Sequence, residues 1–303
     1  MHAPYLLLSP RFWKDYELID CGNFEKLERF GEFILSRPEP QAIWDKKLPQ
    51  KEWDSLHHAK YLREKGRDDL ALTSEKGNWI KKTSMKDRWT IHYKSQYLDL
   101  NFNLSLTSFG HIGIFPEQAE NWEFIYDSVK SIKEEKPKVL NLFAYTGAST
   151  LAACAAGADV IHLDSVKQVV NWANENKQSN KLEGITRWIV EDALKFVQRE
   201  KRRGNTYHGI ILDPPAYGRG PEGEKWLLEQ HLNEMLKLCA DLLNPQKHFF
   251  LLNIYSVGFS ALILDSLIAN AFGNNKREIG ELVLPAKSGM NLPVGTFVRF
   301  RKS

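Results

Sequence analysis

Four short segments carry residues whose types and spacing could do chemistry: NLFAYTGAST (141–150), Asp164, Glu191-Asp192 and LDPPAYGRG (212–220). Each follows or closes a short apolar run. In the first, a single glycine, Gly147, permits a tight turn and a close approach of the backbone to a ligand, and the helix behind it offers its N–H groups. Asp164 stands 17 residues beyond Gly147, where a carboxylate can accept hydrogen bonds from both hydroxyls of a ribose. Glu191-Asp192 is placed to receive the amino group of a base. Asp213-Pro214-Pro215 ends an apolar run with an acid and two residues that have no N–H to donate. The Asp213 carboxylate and the Pro214 carbonyl therefore escape strand pairing and form a rigid shelf of acceptors for a flat, amine-bearing partner. Each feature has an ordinary alternative on its own. A glycine after a strand is commonly a turn, Asp192 is equally an N-cap for DALKFV, and DPP is equally a strand terminator. Taken in order on consecutive strands, they describe a nucleoside pocket beside an acceptor corner.

The elements that must position them begin at Lys138. KVLNLF (138–143), DVIHLD (159–164), TRWIVED (186–192), HGIILD (208–213) and HFFLLNI (248–254) read as strands. STLAACAAGA (149–158), VKQVVNWANENKQSN (166–180), DALKFVQREKR (192–202) and EKWLLEQHLNEMLKLCADLL (224–243) read as helices between them. Strands alternating with helices mean βαβ units. The fold class expected is α/β, a Rossmann-like, doubly wound, mostly parallel sheet, and residues 276–302 read as two further strands that close it with an antiparallel edge. Residues 1–115 have another texture. Trp13, Trp44, Trp53, Trp79 and Trp89 fall there, with turn-prone SRPEPQ (36–41) and EKGN (75–78), and IHYKSQYLDLNFNLSL (91–106) alternates with the period of strands. The expected division is a small β-rich or mixed module over 1–115, a candidate for substrate recognition, and a catalytic domain over 116–303. The tryptophans are expected in its core.

Composition narrows the classes. The chain has 303 residues, 43% hydrophobic and 26% charged, and a net charge of only +3, which gives no ground for bulk attraction to nucleic acid. Residues 1–137 hold 21 basic against 22 acidic side chains and the rest 20 against 16, a mild positive bias compatible with a polyanionic partner. Three scattered cysteines suggest reduced thiols and a cytoplasmic protein. MHAPYLLLSPRFW lacks the basic start and long apolar run of a signal peptide, and FFLLNIYSVGFSALIL (249–264) is too interrupted for a membrane span. His57-His58 has no ligand company, and no C-x-x-C or H-E-x-x-H pattern occurs, so no metal is expected. The basic run REKRRG (199–204) reads as a solvated loop away from the pocket; Arg219 and Lys225, flanking the DPP corner, are better placed for an acceptor's phosphates.

No G-x-G-x-x-G cradle and no G-x-x-x-x-G-K-[ST] loop is present. A single-glycine turn suits a nucleoside without phosphates, of which S-adenosylmethionine is one. NLFAYTGASTLAACAAGADVIHLDSV (141–166) resembles motif I and the acidic second strand of class I S-adenosylmethionine-dependent methyltransferases. The pattern N-x-F-x-Y-T-G followed by D-P-P resembles the large-subunit rRNA methyltransferases among them. GHIGIFPEQAENW (110–122) resembles the segment leading into their catalytic domain, and LPVGTFVR (292–299) their C-terminal end, so the likeness spans about residues 105–302. It implies that Phe143, Ala144, Tyr145, Thr146 and Gly147 line the methionine and ribose side of the cofactor. Asp164 with Ser165 would hold the ribose, Asp192 the adenine amino group, and Phe115 and Gln118 would close the pocket. Asp213, Pro214, Pro215 and Tyr217 would face the acceptor, Tyr217 by stacking on a base.

Carbon-5 methylation of a pyrimidine needs a cysteine thiolate. The segments where relatives keep it read NIYSVG (253–258) and DPPAYG (213–218), and Cys154 and Cys239 fall in expected helices. A nitrogen acceptor, or an oxygen, is therefore expected. The expectation is methylation of an RNA base, rRNA foremost, with a protein side-chain amide or a small molecule as the rival acceptor and a silent cofactor-binding scaffold as the rival class. The oligomeric state is left open.

Overall fold

The computed structural model describes residues 5–64, 77–82, 85–134, 136–255 and 258–302. Its packing separates two units, one made of Met1–Leu8, Gln118–Leu282 and Gly295–Ser303, the other of Ser9–Glu117 and Val283–Val294.

The first unit is built on an eight-stranded sheet: β1 (Tyr5–Leu8), β2 (Lys138–Leu142), β3 (Asp159–Asp164), β4 (Thr186–Val190), β5 (Gly209–Leu212), β6 (His248–Ile254), β7 (Glu278–Pro285) and β8 (Asn291–Lys302). The spatial order is β1-β7-β8-β6-β5-β2-β3-β4. Strands β2 to β6 pair in parallel, and β8 runs antiparallel to β6. Six helices accompany them: α1 (Ala119–Ser131), α2 (Ala148–Ala155), α3 (Lys167–Ser179), α4 (Ala193–Arg202), α5 (Leu228–Leu242) and α6 (Ala261–Phe272). The central strands read as unbroken apolar runs because both of their faces are covered. Leu140, Leu142, Ile210, Leu212, Phe250 and Leu252 are fully buried in the resulting core with Phe196 of α4 and Leu236 of α5. The doubly wound, mostly parallel sheet matches the expected class.

The chain winds from β2 outward to β4 on one side and from β5 to β6 on the other, so the strand order reverses between β2 and β5. At such a switch point the loops beyond the carboxyl ends of the two strands splay apart and leave a crevice. The turn after β2 carries Gly147 and the corner after β5 carries Asp213. Topology thus sets the two halves of the expected site side by side.

The division departs from the expected 1–115 and 116–303 split in two places. Tyr5–Leu8 belongs to the first unit, as a parallel strand in register with Ile279–Leu282 of β7, and the Tyr5 hydroxyl donates to Glu281 at 2.8 Å. Residues 283–294 belong to the second unit, where the Lys287 N–H donates to the Leu18 carbonyl at 2.9 Å. Both are long-range pairings that no local pattern announces. The helix expected from residue 224 also starts later. Lys225–Leu227 instead pairs antiparallel with Tyr217–Arg219, and α5 begins at Leu228. The basic run lies mainly in the last turn of α4 rather than in a loop. Its Arg199 pairs with Glu191, Lys201 with Asp241 at 2.6 Å and Arg203 with Glu200 at 3.1 Å.

The second unit holds a five-stranded sheet, in the order Tyr16–Gly22, Glu25–Phe30, Phe33–Pro38, Ala59–Arg63, Gly77–Lys81, and a hairpin of Arg88–Lys94 with Asp99–Ser105. SRPEPQ continues a strand to Pro38 before turning, and Gly77-Asn78 opens a strand; Glu75 and Lys76 of EKGN lie outside the described residues. All five indole N–H groups bond within this unit: Trp13 to Pro116, Trp44 to Cys21, Trp53 to Asp20, Trp79 to Thr107 and Trp89 to Phe30. Trp53 and Trp89 are buried and the others half-buried, so these rings are committed to packing. His57 is buried with Nδ1 on the Trp53 carbonyl, and His58 Nδ1 accepts from the Ile34 N–H. Among the described residues no group of three His, Cys, Asp or Glu is placed to hold a metal ion, and no helix is long and apolar enough to cross a membrane.

Candidate active site

The turn after β2 is built from backbone that most side chains avoid. Phe143, Tyr145 and Gly147 have φ of 55°, 47° and 88°. Such left-handed residues cost energy and persist where the surroundings over-determine them. The fixings are hydrogen bonds: Ala144 N–H to the Leu163 carbonyl at 3.0 Å, Tyr145 N–H to Asp164 Oδ2 at 3.0 Å, and Asn176 Nδ2 to the Thr146 carbonyl at 2.9 Å. A Cβ on Gly147 would meet the Ala173 Cβ at 2.9 Å, so the turn lies tight against α3 and only glycine fits. Beneath it a buried chain joins β2, α2 and β3. Asn141 Nδ2 donates to Thr150 Oγ1, which lies 2.9 Å from His162 Nδ1. Burial holds the His162 imidazole neutral, its pKa pushed down to about 3.

Asp164 ends β3. Its Oδ1 accepts the Val166 N–H at 3.0 Å, and its backbone bonds extend to Ser165. Burial raises its pKa and these N–H donors oppose the rise. A carboxylate offers about four acceptor sites, so lone pairs remain for a ligand hydroxyl. Ser165 is half-buried beside it. Asp192 caps α4, Oδ1 accepting the Lys195 N–H at 2.9 Å. The N-cap reading is thus realised with one oxygen, and among the described residues none donates to the other. Asp192 also lines a groove of about 190 Å³ with Leu194, Gln198, Lys225 and Trp226. Glu191 is drawn away from this position, held in two bonds by Arg199.

The corner after β5 is fixed from three directions. Asn253 Nδ2, at the end of β6, donates to Asp213 Oδ1 at 2.9 Å, and Gln118 Nε2, just before α1, reaches Asp213 Oδ2 at 3.4 Å. Trp226 Nε1 donates to the Pro215 carbonyl at 2.8 Å, and its ring packs on Phe143 at 4.9 Å. One indole therefore ties the β2 turn to the β5 corner. Burial pushes the Asp213 carboxyl up to about 6, with the Asn253 amide pulling the other way. Pro214 is buried and Pro215 exposed. The Pro215 carbonyl is taken by Trp226, whereas among the described residues none donates to the Pro214 carbonyl, which leaves it and Asp213 as the acceptors of the shelf. Tyr217 is 43% exposed on the short hairpin, and its hydroxyl accepts from Arg219 Nε at 2.8 Å.

Of the residues expected to line a pocket, the structure brings Phe143 to Gly147, Asp164, Ser165, Asp192, Gln118, Asp213, Pro214, Pro215 and Tyr217 to the carboxyl ends of the sheet of one unit. Ala144 and Thr146 contribute backbone, since both are buried. Gln118 is bonded to the acceptor-corner acid. Phe115 lies in the other unit, 37% exposed, with its ring edge-on to His111 at 5.5 Å. The cysteine segment NIYSVG includes Ser256 and Val257, which lie outside the described residues. Cys21, Cys154 and Cys239 are buried, and burial raises each thiol pKa, that of Cys21 to about 11. Asn253 and Trp226 are the functional candidates that sequence reading missed. Asn253 left one faint signal, an amide interrupting the apolar run HFFLLNI; Trp226 left none.

The donor set fits an adenosyl sulfonium: a glycine-only turn, a carboxylate with free lone pairs for a ribose, and an uncommitted oxygen on Asp192 for an amino group. Comparison with known proteins agrees. The profile of a family described as "S-adenosylmethionine-dependent methyltransferase" matches residues 79–270. A solved structure, the SAM-dependent methyltransferase from Agrobacterium tumefaciens, is 36% identical with a TM-score of 0.88 and covers 100% of this chain and 95% of that one. The solved structure of SMU.776 complexed with SAH shares the fold at 16% identity and a TM-score of 0.68, covering 91% of this chain and 71% of that one. The "Ribosomal RNA large subunit methyltransferase K/L" of Shewanella frigidimarina is 29% identical over 187 residues, 61% of this chain. This chain spans about a quarter of that curated relative's length.

Proposed function

The chain belongs to the S-adenosylmethionine-dependent methyltransferase family, and from that premise we propose that it methylates a nitrogen of an RNA base, rRNA foremost, in the cytoplasm. The observation that carries the reading is the Asp213-Pro214 shelf opening beside an exposed Tyr217. S-adenosylmethionine, when bound, supplies a methyl group on a sulfonium leaving group. The chain's own residues do the rest by holding and aligning. Asp164 and Ser165 hold the ribose, the free oxygen of Asp192 takes the adenine amino group, and the left-handed turn from Phe143 to Gly147 lies against the remainder of the cofactor, with Gln118 from the leading segment.

On the acceptor side, an amine conjugated with a ring is a poor nucleophile because its lone pair is delocalised. Asp213 and the Pro214 carbonyl accept its N–H bonds and turn the lone pair toward the methyl. Tyr217 stacks on a base that has left its own stack, while Arg219 and Lys225 meet nearby phosphates. A nitrogen rather than a carbon acceptor is supported by the cysteines, all buried and none with a lowered thiol pKa. The names of the curated relatives support RNA as the substrate. The second unit, with a boundary near residue 115, is assigned to substrate recognition.

The test incubates the purified protein with methyl-labelled S-adenosylmethionine and total RNA, protein and small-molecule fractions from a strain lacking the gene. Label in large-subunit rRNA, released as an N-methylated nucleoside on digestion, is expected. Label in protein or small molecules would overturn the RNA assignment, and a C5-methylated pyrimidine would overturn the nitrogen assignment. Binding without transfer to any fraction would leave a scaffold.

A further inference from the structure

Gln118 Nε2 approaches Asp213 Oδ2, and the amide of Gln118 is itself oriented from behind. Asn121 Nδ2 donates to Gln118 Oε1 at 2.8 Å, and Arg299 Nη1 donates to Asn121 Oδ1 at 3.2 Å. A guanidinium can only donate. It therefore fixes the sense of every bond in the row: each amide oxygen accepts from the Arg299 side and each NH₂ points onward, ending on Asp213. The three residues are at most 8% exposed, and Arg299 is held by Glu278 at 2.7 Å, by the Glu120 carbonyl at 3.0 Å and by the Phe124 ring at 4.7 Å.

Asn253 approaches the other oxygen of the same carboxylate. Its Nδ2 bonds Asp213 Oδ1, while its own Oδ1 is buried with no hydrogen-bond partner among the described residues. An orphaned buried acceptor is a standing cost that packing does not explain, since leucine has nearly the same shape and no polar atom to strand. The placement makes sense only through the donor it turns on Asp213.

We propose that Asn253 on one side and the Arg299–Asn121–Gln118 relay on the other are positioning residues that clamp the Asp213 carboxylate, one donor to each oxygen, so that it stays ionised and presents its remaining lone pairs to the acceptor's N–H. The inference rests on Asp213 being the acceptor-side acid, and it moves the principal role of Gln118 from the cofactor to that acid. Burial works against ionisation of Asp213, and the Asn253 amide counters it. The charges on the elements around the corner are Glu120 on α1, Arg299 on β8 with its partner Glu278 on β7, and Arg219 and Lys225 on the hairpin.

The test is a carbon-13 NMR titration of aspartate-labelled protein, with Asp213→Asn assigning the resonance. Parent protein is compared with Asn253→Leu, Gln118→Met and Asn121→Leu. Losing a donor to the ionised form raises a carboxyl pKa, so Asn253→Leu and Gln118→Met should each move the Asp213 midpoint up by about one pH unit. Asn121→Leu leaves every group that touches Asp213 in place and should move it the same way by a smaller step. A midpoint unchanged in Asn253→Leu and Gln118→Met overturns the clamp, and one unchanged in Asn121→Leu overturns the relay. The acid limb of methyl transfer to RNA should follow the same shifts, with the KM for S-adenosylmethionine held in Asn253→Leu and Asn121→Leu. The titration needs no acceptor, so a flat result strikes the clamp alone, whereas a parent protein that transfers no label strikes the RNA reading alone.

Discussion

At the residue scale, the two carboxylates proposed to serve cofactor and acceptor are told apart by their surroundings. Asp164 is met by backbone N–H groups and keeps lone pairs for a ligand. Replacing it with alanine should weaken S-adenosylmethionine binding by roughly 1.5–3 kcal/mol, the scale of a charged hydrogen bond; an unchanged Kd in calorimetry would remove its ribose role. Asp213 is met by side-chain amides instead. Its folded pKa of about 6 lies above the unfolded value of 3.8, so the folded chain binds that proton more tightly. The stabilisation this gives is full below the unfolded pKa and is lost as pH rises to about 6. At pH 7, Asp213→Asn should therefore raise stability by about 1–2 kcal/mol, a figure discounted from the full shift because the corner is partly open to water. Below pH ~4 the gain should vanish. Transfer should be lost while cofactor binding stays within a few-fold. Denaturant melts at the two pH values, with calorimetry at pH 7, read all three outcomes.

At the element scale, the site depends on how two loops at a switch point are tied together. Trp226 does this from a three-residue strand that sequence periodicity assigns to a helix. It reaches Pro215 with its N–H and Phe143 with its ring. Trp226→Phe keeps the ring contact and drops the hydrogen bond. About 1 kcal/mol of stability should go with it, and kcat should fall further than the affinity for S-adenosylmethionine, because the bond sits on the acceptor side. Equal losses in both would mean that the indole supports the cofactor turn instead. The strands and most helices between 138 and 254 were legible from their apolar runs because a parallel strand buried on both faces has no polar alternation to confuse it, whereas α6 (Ala261–Phe272) was not read. The hairpin of Tyr217–Arg219 with Lys225–Leu227 was not, since three residues on each side carry no period and its partner bonds come from Pro215 and Ala216.

At the scale of the whole molecule, the chain does not divide where its texture changes. Tyr5–Leu8 crosses into the catalytic sheet as the edge strand beyond β7, and 283–294 goes to the other unit. Deleting Met1–Leu8 uncovers the β7 edge and the contacts of Leu6 and Leu8, and should lower the melting temperature by ~5 °C, from about 2–4 °C per kcal/mol for a unit of this size. The cofactor Kd should hold, because β1 lies five strands from β2 in the sheet order, roughly 24 Å at ordinary strand spacing. A matching loss of cofactor affinity in calorimetry would show that the edge strand supports the site as well as the fold.

The residues by themselves determined what is local. Apolar runs with helical stretches between them specified a doubly wound sheet, and the strand ends marked Gly147, Asp164, Asp192 and Asp213 as candidates for a nucleoside and its acceptor, since each needs only its own strand to place it. Tertiary structure alone decided which groups hold those ends. Asn253 stands 40 residues from Asp213, Gln118 95 residues away, and Arg299 178 residues from Asn121. A hydrogen bond between such positions leaves no period or spacing in the chain. It exists because β6, β8 and the start of α1 deliver their polar side chains to one desolvated corner, where each buried amide must turn its donors toward the acceptor that packing has put there.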